Sequence, residues 1–293
     1  MTPRTPLVAR IAVGIVAVSF GAIFIRLAGE APSFAIAAWR LALAALCLLP
    51  IAFARRGRTL TSPTLAWSVA SGVALALHFV LWIASLRLTS VASSTVFVST
   101  HPLFVALGSL LFLRERLPRS LALGIVFAVA GGTLIGFGDA RAGTASLSGD
   151  LLALAGGLTA AVYFLIGRHV RKTVSALEYA AVSYTTAAGL VLLLCLLTET
   201  PVVGFSLATY GCLVLLALVP QMVGHSTLNW ALKHLSASKV SVLVLAEPIG
   251  AAILAIFIFR EVPTTLILVG GAIILLGIYA SLRSKEDLHV HGS

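Results

Sequence analysis

The chain has 293 residues, 59 % of them hydrophobic and 10 % charged, with a formal net charge of +10 and a mean hydropathy of +1.07. Soluble domains carry about 25 % charged and about 45–50 % apolar residues, so too few charges are present to cover a water-facing surface. Lipid is the solvent for most of this chain, which excludes a secreted disulfide scaffold, a disordered chain and a cytosolic enzyme.

In chain order, Arg4 and Arg10 precede the apolar run Ile11 to Ile25. The arrangement imitates a signal peptide. However, the run is long for one, and Arg26 and Glu30 stand where a small-residue cleavage site belongs, so the expectation is an uncleaved first transmembrane helix. Crossing a hydrocarbon core of about 30 Å takes about 20 mostly apolar residues. Ten stretches qualify, at roughly 8–28, 33–54, 64–86, 89–113, 119–138, 149–168, 175–198, 206–230, 235–259 and 263–283. Backbone groups in lipid must bond within their own segment, and the runs are too continuous for barrel strands, so the fold is an all-α integral membrane protein. Cys47, Cys195 and Cys212 lie inside apolar runs without CxxC spacing and read as small core residues.

Lys and Arg fall in short clusters between the spans rather than on one face, which speaks against nucleic acid as a partner. With the amino terminus in the cytoplasm, the inner segments hold fifteen cations, among them Arg55, Arg56, Arg58, Arg114, Arg116 and Arg119. The outer segments hold four, Arg26, Arg87, Arg141 and Arg260. The positive-inside bias thus sets both termini on the cytoplasmic side of a cell inner (plasma) membrane protein.

Sliding the chain on itself by 146 residues aligns Leu86 with Leu232, Ser90 with Ser236, Val96 with Val242, Val98 with Val244 and Pro102 with Pro248. It also aligns Ala106 with Ala252, Arg114-Glu115 with Arg260-Glu261, Gly124 with Gly270 and Gly131 with Gly277, ten identities over 46 positions. Apolar composition alone does not produce a matched Arg-Glu, a proline and two glycines. The halves are 1–142 and 143–293, and five spans per half, an odd number, require the second to be inserted upside down. Ten transmembrane helices as two inverted five-helix repeats is the architecture of secondary transporters, with the substrate near the midplane between halves.

The pattern resembles the drug/metabolite transporter superfamily in its ten-helix EamA-type branch. The matching residues are Pro102, Phe112-Leu113-Arg114-Glu115-Arg116 and Gly124, and again Pro248, Phe259-Arg260-Glu261 and Gly270. The bacterial YddG-type exporters of aromatic amino acids are similar in look. The resemblance implies export of metabolites from the cytoplasm by alternating access, with no ATP site. One departure stands out: the four-helix multidrug pumps of the superfamily carry a glutamate in their first span, whereas residues 11–25 here hold no charge.

Ionisable groups at membrane depth are costly and mark candidate sites. His101 and Glu247 each precede a proline, each sits mid-span about 18 Å from the helix ends, and the repeat offset pairs them. Pro102 and Pro248 lack a backbone donor and release the carbonyls of Val98 and Val244, making them candidate hinges or gates. The competing reading is that His101 and Glu247 bond neighbouring helices or each other. His78, Trp82 and Ser85 share a face of the third span; Ser94, Phe97, His101, Phe104 and Gly108 share one on the fourth; Gln221, His225 and Asn229 share one on the eighth. Tyr163 stands over Thr159 and Gly156, and Ser99 sits beside the acceptor freed by Pro102, although an ideal helix aims it away from His101. The candidate cavity is therefore His78, Trp82, Ser99, His101, Tyr163, Gln221, His225 and Glu247. Rings mixed with neutral hydrogen-bonding groups suit a zwitterion with an apolar side chain better than a phosphate. Arg40, deep in the second span, either pairs with a neighbouring helix or a carbonyl, or holds a substrate carboxylate. Trp39, Trp67 and Trp230 belong to the interfacial belt, and Gly132 and Gly136 form a GxxxG whose use is packing within a monomer or a dimer face.

Gly136-Phe137-Gly138-Asp139 imitates an intramembrane protease motif, but that chemistry needs a second aspartate on another span, and Asp150 lies in the same polar loop. With no HExxH or GxSxG either, the chain is not expected to be an enzyme and needs neither cofactor nor metal. The expectation is an alternating-access exporter of amino acids, aromatic or otherwise apolar, acting as a monomer in the bilayer. The alternatives are export of another metabolite or drug, or a channel.

Overall fold

The computed structural model describes residues 4–54, 60–89, 91–114, 118–140, 146–260 and 265–282. Ser90, Glu115, Glu261 and the basic clusters at 55–58 and 283–285 lie outside them. The described residues form helices and their connections, as the solvent demands. The first half runs α1 (Arg4–Leu27), α2 (Ser33–Ala54), α3 (Ser62–Leu88), α4 (Val91–Val98), α5 (His101–Leu111) and α6 (Arg119–Ala140). The second runs α7 (Leu147–Val170), α8 (Ala176–Leu197), α9 (Leu207–Leu216), a π-helical segment (Ala217–His225), α10 (Ser226–Ala231), α11 (Ala237–Val244), α12 (Ala246–Phe259) and α13 (Thr265–Leu282). Hydroxyl side chains start several of them: Ser175, Ser206 and Ser236 accept from the backbone amides of Glu178, Thr209 and Lys239, and Thr61 forms a capping box with Thr64.

Among the described residues seven helices are long and apolar enough to cross a bilayer, Leu207–Ala231 and Ala237–Phe259 being followed through their interruptions. The other three expected spans correspond to shorter apolar stretches, His101–Leu111, Arg119–Leu134 and Leu268–Gly277. The chain is a multi-pass membrane protein.

Two interruptions fall where proline chemistry places them. The fourth expected span breaks at Ser99-Thr100, before Pro102, and the ninth at Leu245, before Pro248. Both are interruptions of one or two residues whose backbone stays in the right-handed region, at Thr100 and at Leu245. The eighth span departs from expectation differently. Pro220 has no amide to donate, and the backbone passes it in the wider π register.

Exchange of the halves maps the helix packing onto itself. α3 lies on α7 as α1 lies on α9, the π segment and α10; α3 meets α8 as α2 meets α9 and the π segment; α4 and α5 meet α7 as α12 meets α1. The self-related pairs α2–α8 and α6–α13 are in contact across the axis. The backbone repeats too: Arg114 and Arg260, 146 residues apart, both take left-handed conformations, with φ of 53° and 57°. Contacts at the helix ends show the inversion. The α1–α2 turn touches the start of α9 through Glu30 and Ser206, whereas its counterpart after α7 lies at the opposite end of α2 and α3, where His169 meets Trp67.

α6 and α13 cross backbone to backbone, since a Cβ built on Gly131 would stand 2.4 Å from the Gly270 carbonyl. Gly131→Ala is therefore expected to destabilise the protein by about 1–3 kcal/mol through overpacking. Gly189, with nothing within 4 Å of its Cβ position, serves as control: Gly189→Ala should leave stability unchanged or raise it by up to about 1 kcal/mol. Thermal unfolding in detergent separates the two.

On one end of the bundle, exposed Glu30 accepts bonds at Oε2 from Ser206 N (3.1 Å), Ser206 Oγ (2.8 Å) and Thr209 Oγ1 (2.7 Å). These donors hold its carboxyl below the ordinary carboxylate range, that of Thr209 foremost. A depressed folded-state pKa gives stability that is present above the unfolded value and lost as pH falls through the folded one. Glu30→Gln should lower the melting temperature at neutral pH, and the gap to the native protein should close on acidification, as scanning fluorimetry across a pH series would show.

Candidate functional site

The site forms where α7 lets its neighbours approach. A Cβ on Gly156 would stand 3.4 Å from Trp82 N, and one on Gly157 2.8 Å from the Val98 carbonyl, so α3 and the end of α4 press directly on α7. His78 and Trp82, one turn apart on α3, lie parallel with ring centroids 6.0 Å apart, and His78 Nδ1 sits 2.9 Å from Gly156 O. A carbonyl only accepts, so Nδ1 carries the proton and the neutral ring presents Nε2 as an acceptor. His101 follows the same logic at the break. Its Nδ1 lies 3.1 Å from Val98 O, the carbonyl that Pro102 leaves without an amide, while its ring stacks on Phe164 at 5.6 Å.

These groups enclose a cavity lined by His78, Trp82, Thr95, Val98, Ser99, His101, Ala160, Tyr163, Phe164, His225, Leu228, Val244, Glu247 and Pro248. The enclosed space is about 50 Å³, room for a few waters. Both helix breaks reach it: Ser99 through the first, and Val244, Glu247 and Pro248 through the second.

Most of the predicted residues therefore converge on one space. Ser99 and His101 both line it, Ser99 one helical turn after Thr95, whose carbonyl accepts from the Ser99 amide at 3.0 Å. Gln221 does not line the cavity. Fully buried, it accepts at Oε1 from Arg40 Nε at 2.7 Å. Arg40 thus pairs with a neighbouring element, and its guanidinium also sits 4.0 Å over the Phe79 ring. Pro102 is buried in the first turn of α5 and does not line the cavity either. Ser94, on the His101 face by periodicity, is turned instead to Ser85 Oγ at 2.6 Å, a helix-to-helix bond. Asp150 accepts from Thr89 Oγ1 at 2.9 Å. Trp39 donates its Nε1 to the Val202 carbonyl at 2.8 Å.

Behind Tyr163 runs a buried polar chain. Its hydroxyl donates to Asn229 Oδ1 at 2.7 Å, Asn229 Nδ2 donates to Tyr184 Oη at 3.2 Å, and Tyr184 meets Ser226 Oγ at 3.4 Å. Phe164 and Ala160, both apolar, escape a polar scan of the sequence, and Thr95 is one hydroxyl among many. The signal that could have found two of them is helical spacing, since Thr95 precedes Ser99 by one turn and Ala160 precedes Phe164 by one.

Buried polar atoms in proteins are nearly all partnered. Among the described residues five have no partner in hydrogen-bonding geometry: Trp82 Nε1, His101 Nε2 and His225 Nδ1 on cavity-lining side chains, and Arg40 Nη1 and Gln221 Nε2 on the pair that does not line it. Among those residues no three His, Cys, Asp or Glu side chains group as a metal site would need. The arrangement can present donors and acceptors to a small polar guest enclosed by aromatic rings.

Comparison with known proteins gives the context. The model of the EamA-like transporter family matches the chain twice, over residues 7–137 and 147–283. An uncharacterized transporter of Archaeoglobus fulgidus is 28 % identical over 98 % of this chain and 100 % of its own length. The pseudopaline exporter CntI of Pseudomonas aeruginosa is 28 % identical over 73 % of this chain and 74 % of its own. A probable terminal-alkyne amino-acid exporter of Streptantibioticus cattleyicolor is 31 % identical over 64 % and 62 %. A solved crystal structure superposes with a TM-score of 0.77 at 21 % identity, covering 94 % of this chain and 99 % of that one, a likeness of fold. With the family model covering both halves, the cavity lies in a transporter and not an enzyme: the chain belongs to the EamA-like transporter family.

Proposed function

We propose that the protein exports amino acids with aromatic or other apolar side chains across the cell inner membrane by alternating access. In this reading ten spans form two halves, 1–142 and 143–293, both termini face the cytoplasm, and the monomer is the working unit. The observation that carries the substrate class is the cavity itself. Unpartnered donors and acceptors surround a space walled by Trp82, Tyr163, Phe164, Val98, Leu228 and Val244, and no Lys or Arg is among its described lining residues. A phosphate or nucleotide carrier needs cations against its substrate; a zwitterion with an apolar side chain needs both hydrogen-bonding signs and an apolar wall. The relative named as an amino-acid exporter supports the same class.

His78, Trp82, Ser99, His101, Tyr163, His225 and Glu247 would contact substrate, with Gln221 supporting from behind. The paired breaks before Pro102 and Pro248 would act as gates, because each leaves two short rods that turn against one another at cavity depth.

Purified protein in liposomes, offered labelled amino acids, sugars and nucleotides in turn, should show saturable flux of phenylalanine-like amino acids. Trp82→Ala and His101→Ala should each lower that flux by about tenfold, the equivalent of one lost aromatic or hydrogen-bonded contact. Saturable transport of a phosphate ester with no amino-acid flux would overturn the reading, flux that does not saturate would select a channel, and full activity of both variants would refute the site assignment.

A further inference from the structure

We infer that the cavity recognises its guest by an ammonium group seated on Glu247 and that a substrate carboxylate is dispensable, so that aromatic amines and amino-acid amides are ligands too. This rests on the cavity assignment above and deepens the amino-acid reading. It makes Glu247 the specificity-determining residue, and it defines the ligand class as an organic ammonium with an aromatic body.

Among the described lining residues Glu247 is the one carboxylate, and none is Lys or Arg. It is carried on α12, which Gly250, three residues further on, sets directly against α1: a Cβ there would stand 2.2 Å from Ser19 Oγ. Among the described residues the Glu247 carboxylate has no hydrogen-bond or ion-pair partner. Arg40, the buried cation of α2, is bonded to Gln221 and lies over the Phe79 ring, outside the lining. Ionisable groups at membrane depth are found paired, or facing a water-filled cavity or a substrate path. A carboxylate that lines a cavity without a protein partner is open to a cation brought by the guest.

The rest of the wall suits a cation better than an anion. Trp82, Tyr163 and Phe164 line the same space, and the faces of aromatic rings attract ammonium groups. The Tyr163 hydroxyl, which could serve a carboxylate, is withdrawn from that task, donating to Asn229 Oδ1 at 2.7 Å. The Nδ1 atoms of His78 and His101 are likewise engaged, by the carbonyls of Gly156 at 2.9 Å and Val98 at 3.1 Å. What a guest's carboxylate meets is neutral donors, such as the unpartnered Trp82 Nε1 and the Ser99 hydroxyl, together with the repulsion of Glu247. An ammonium on Glu247 instead joins opposite charges in a site of low dielectric. An amino acid is therefore held chiefly by one of its two charged ends, and a ligand that lacks the other keeps most of the recognition.

Calorimetric titration of the purified full-length protein in detergent with L-phenylalanine, L-phenylalaninamide, 2-phenylethylamine and 3-phenylpropionate tests this. The amide and the amine should bind within about threefold of phenylalanine, and 3-phenylpropionate at least about tenfold more weakly, having lost the charged hydrogen-bonding group. Glu247→Gln should weaken the three ammonium ligands by at least about tenfold and leave 3-phenylpropionate no weaker, while Glu247→Asp, which keeps the charge, should recover part of the loss. Monodisperse elution shows that each variant is folded, and if Glu247→Gln is not, the four ligands on the native protein decide alone. Tight binding of 3-phenylpropionate, or a Glu247→Gln variant that weakens all four ligands alike or none, overturns the ammonium site. Phenylalanine that binds while the amine and the amide do not overturns it too, and leaves the amino-acid reading intact. Binding of the amine and the amide without phenylalanine upholds the site and overturns the amino-acid reading, and absence of binding by all four overturns both.

Discussion

Everything in this molecule follows from one obligation: a polar group withdrawn from water into hydrocarbon must find its partner inside the protein. Satisfying it along the backbone produces the helices. Satisfying it at their ends produces the serine and threonine caps and the Glu30 bonds to the start of α9. At other helix ends, cations do the same for carbonyls, Arg168 reaching Leu232 O at 2.9 Å and Arg171 reaching Asn229 O at 2.9 Å. Against this background the unpartnered atoms around the cavity are informative, because they concentrate where a guest can answer them.

Duplication then shapes how the obligation is met. The two halves place a proline-led break at the same depth from opposite directions, and the residue ahead of each proline faces the shared cavity. The chemistry of the two positions has diverged: a neutral imidazole that can cap its own freed carbonyl at His101, and a carboxylate at Glu247. The third span of each half has diverged as well. α3 runs unbroken beneath His78 and Trp82, while its counterpart passes Pro220 in a π turn that carries Gln221 and His225. A symmetric frame thus encloses an asymmetric interior, which a guest with distinct ends requires.

The frame was largely legible in the residues, and the interior only partly. Apolar runs, a repeat of 146 residues and two mid-span prolines are local signals, since the chemistry of each depends on its own segment. The residues that helical spacing gathers at cavity depth, His78, Trp82, His101, Tyr163 and His225, do meet there. What spacing could not supply is which long-range partner captures a side chain. Gln221 shares a stripe with His225 yet turns to Arg40, 181 residues away, and Ser94 shares a face with His101 yet turns to Ser85. Ser99 and His101 share the cavity although an ideal helix turns them apart, because the helix is interrupted between them, and the π register around Pro220, packed against α1 and α2, has no signal of its own in the residues.

The crossing of α6 and α13 has a mechanical consequence. At Gly131 the two halves rest on each other through the Gly270 carbonyl and the Ile274 backbone amide, with the Ile274 side chain closing over the contact. A joint of that kind has little slack: any side chain added at Gly131 has to part the two helices before it finds room.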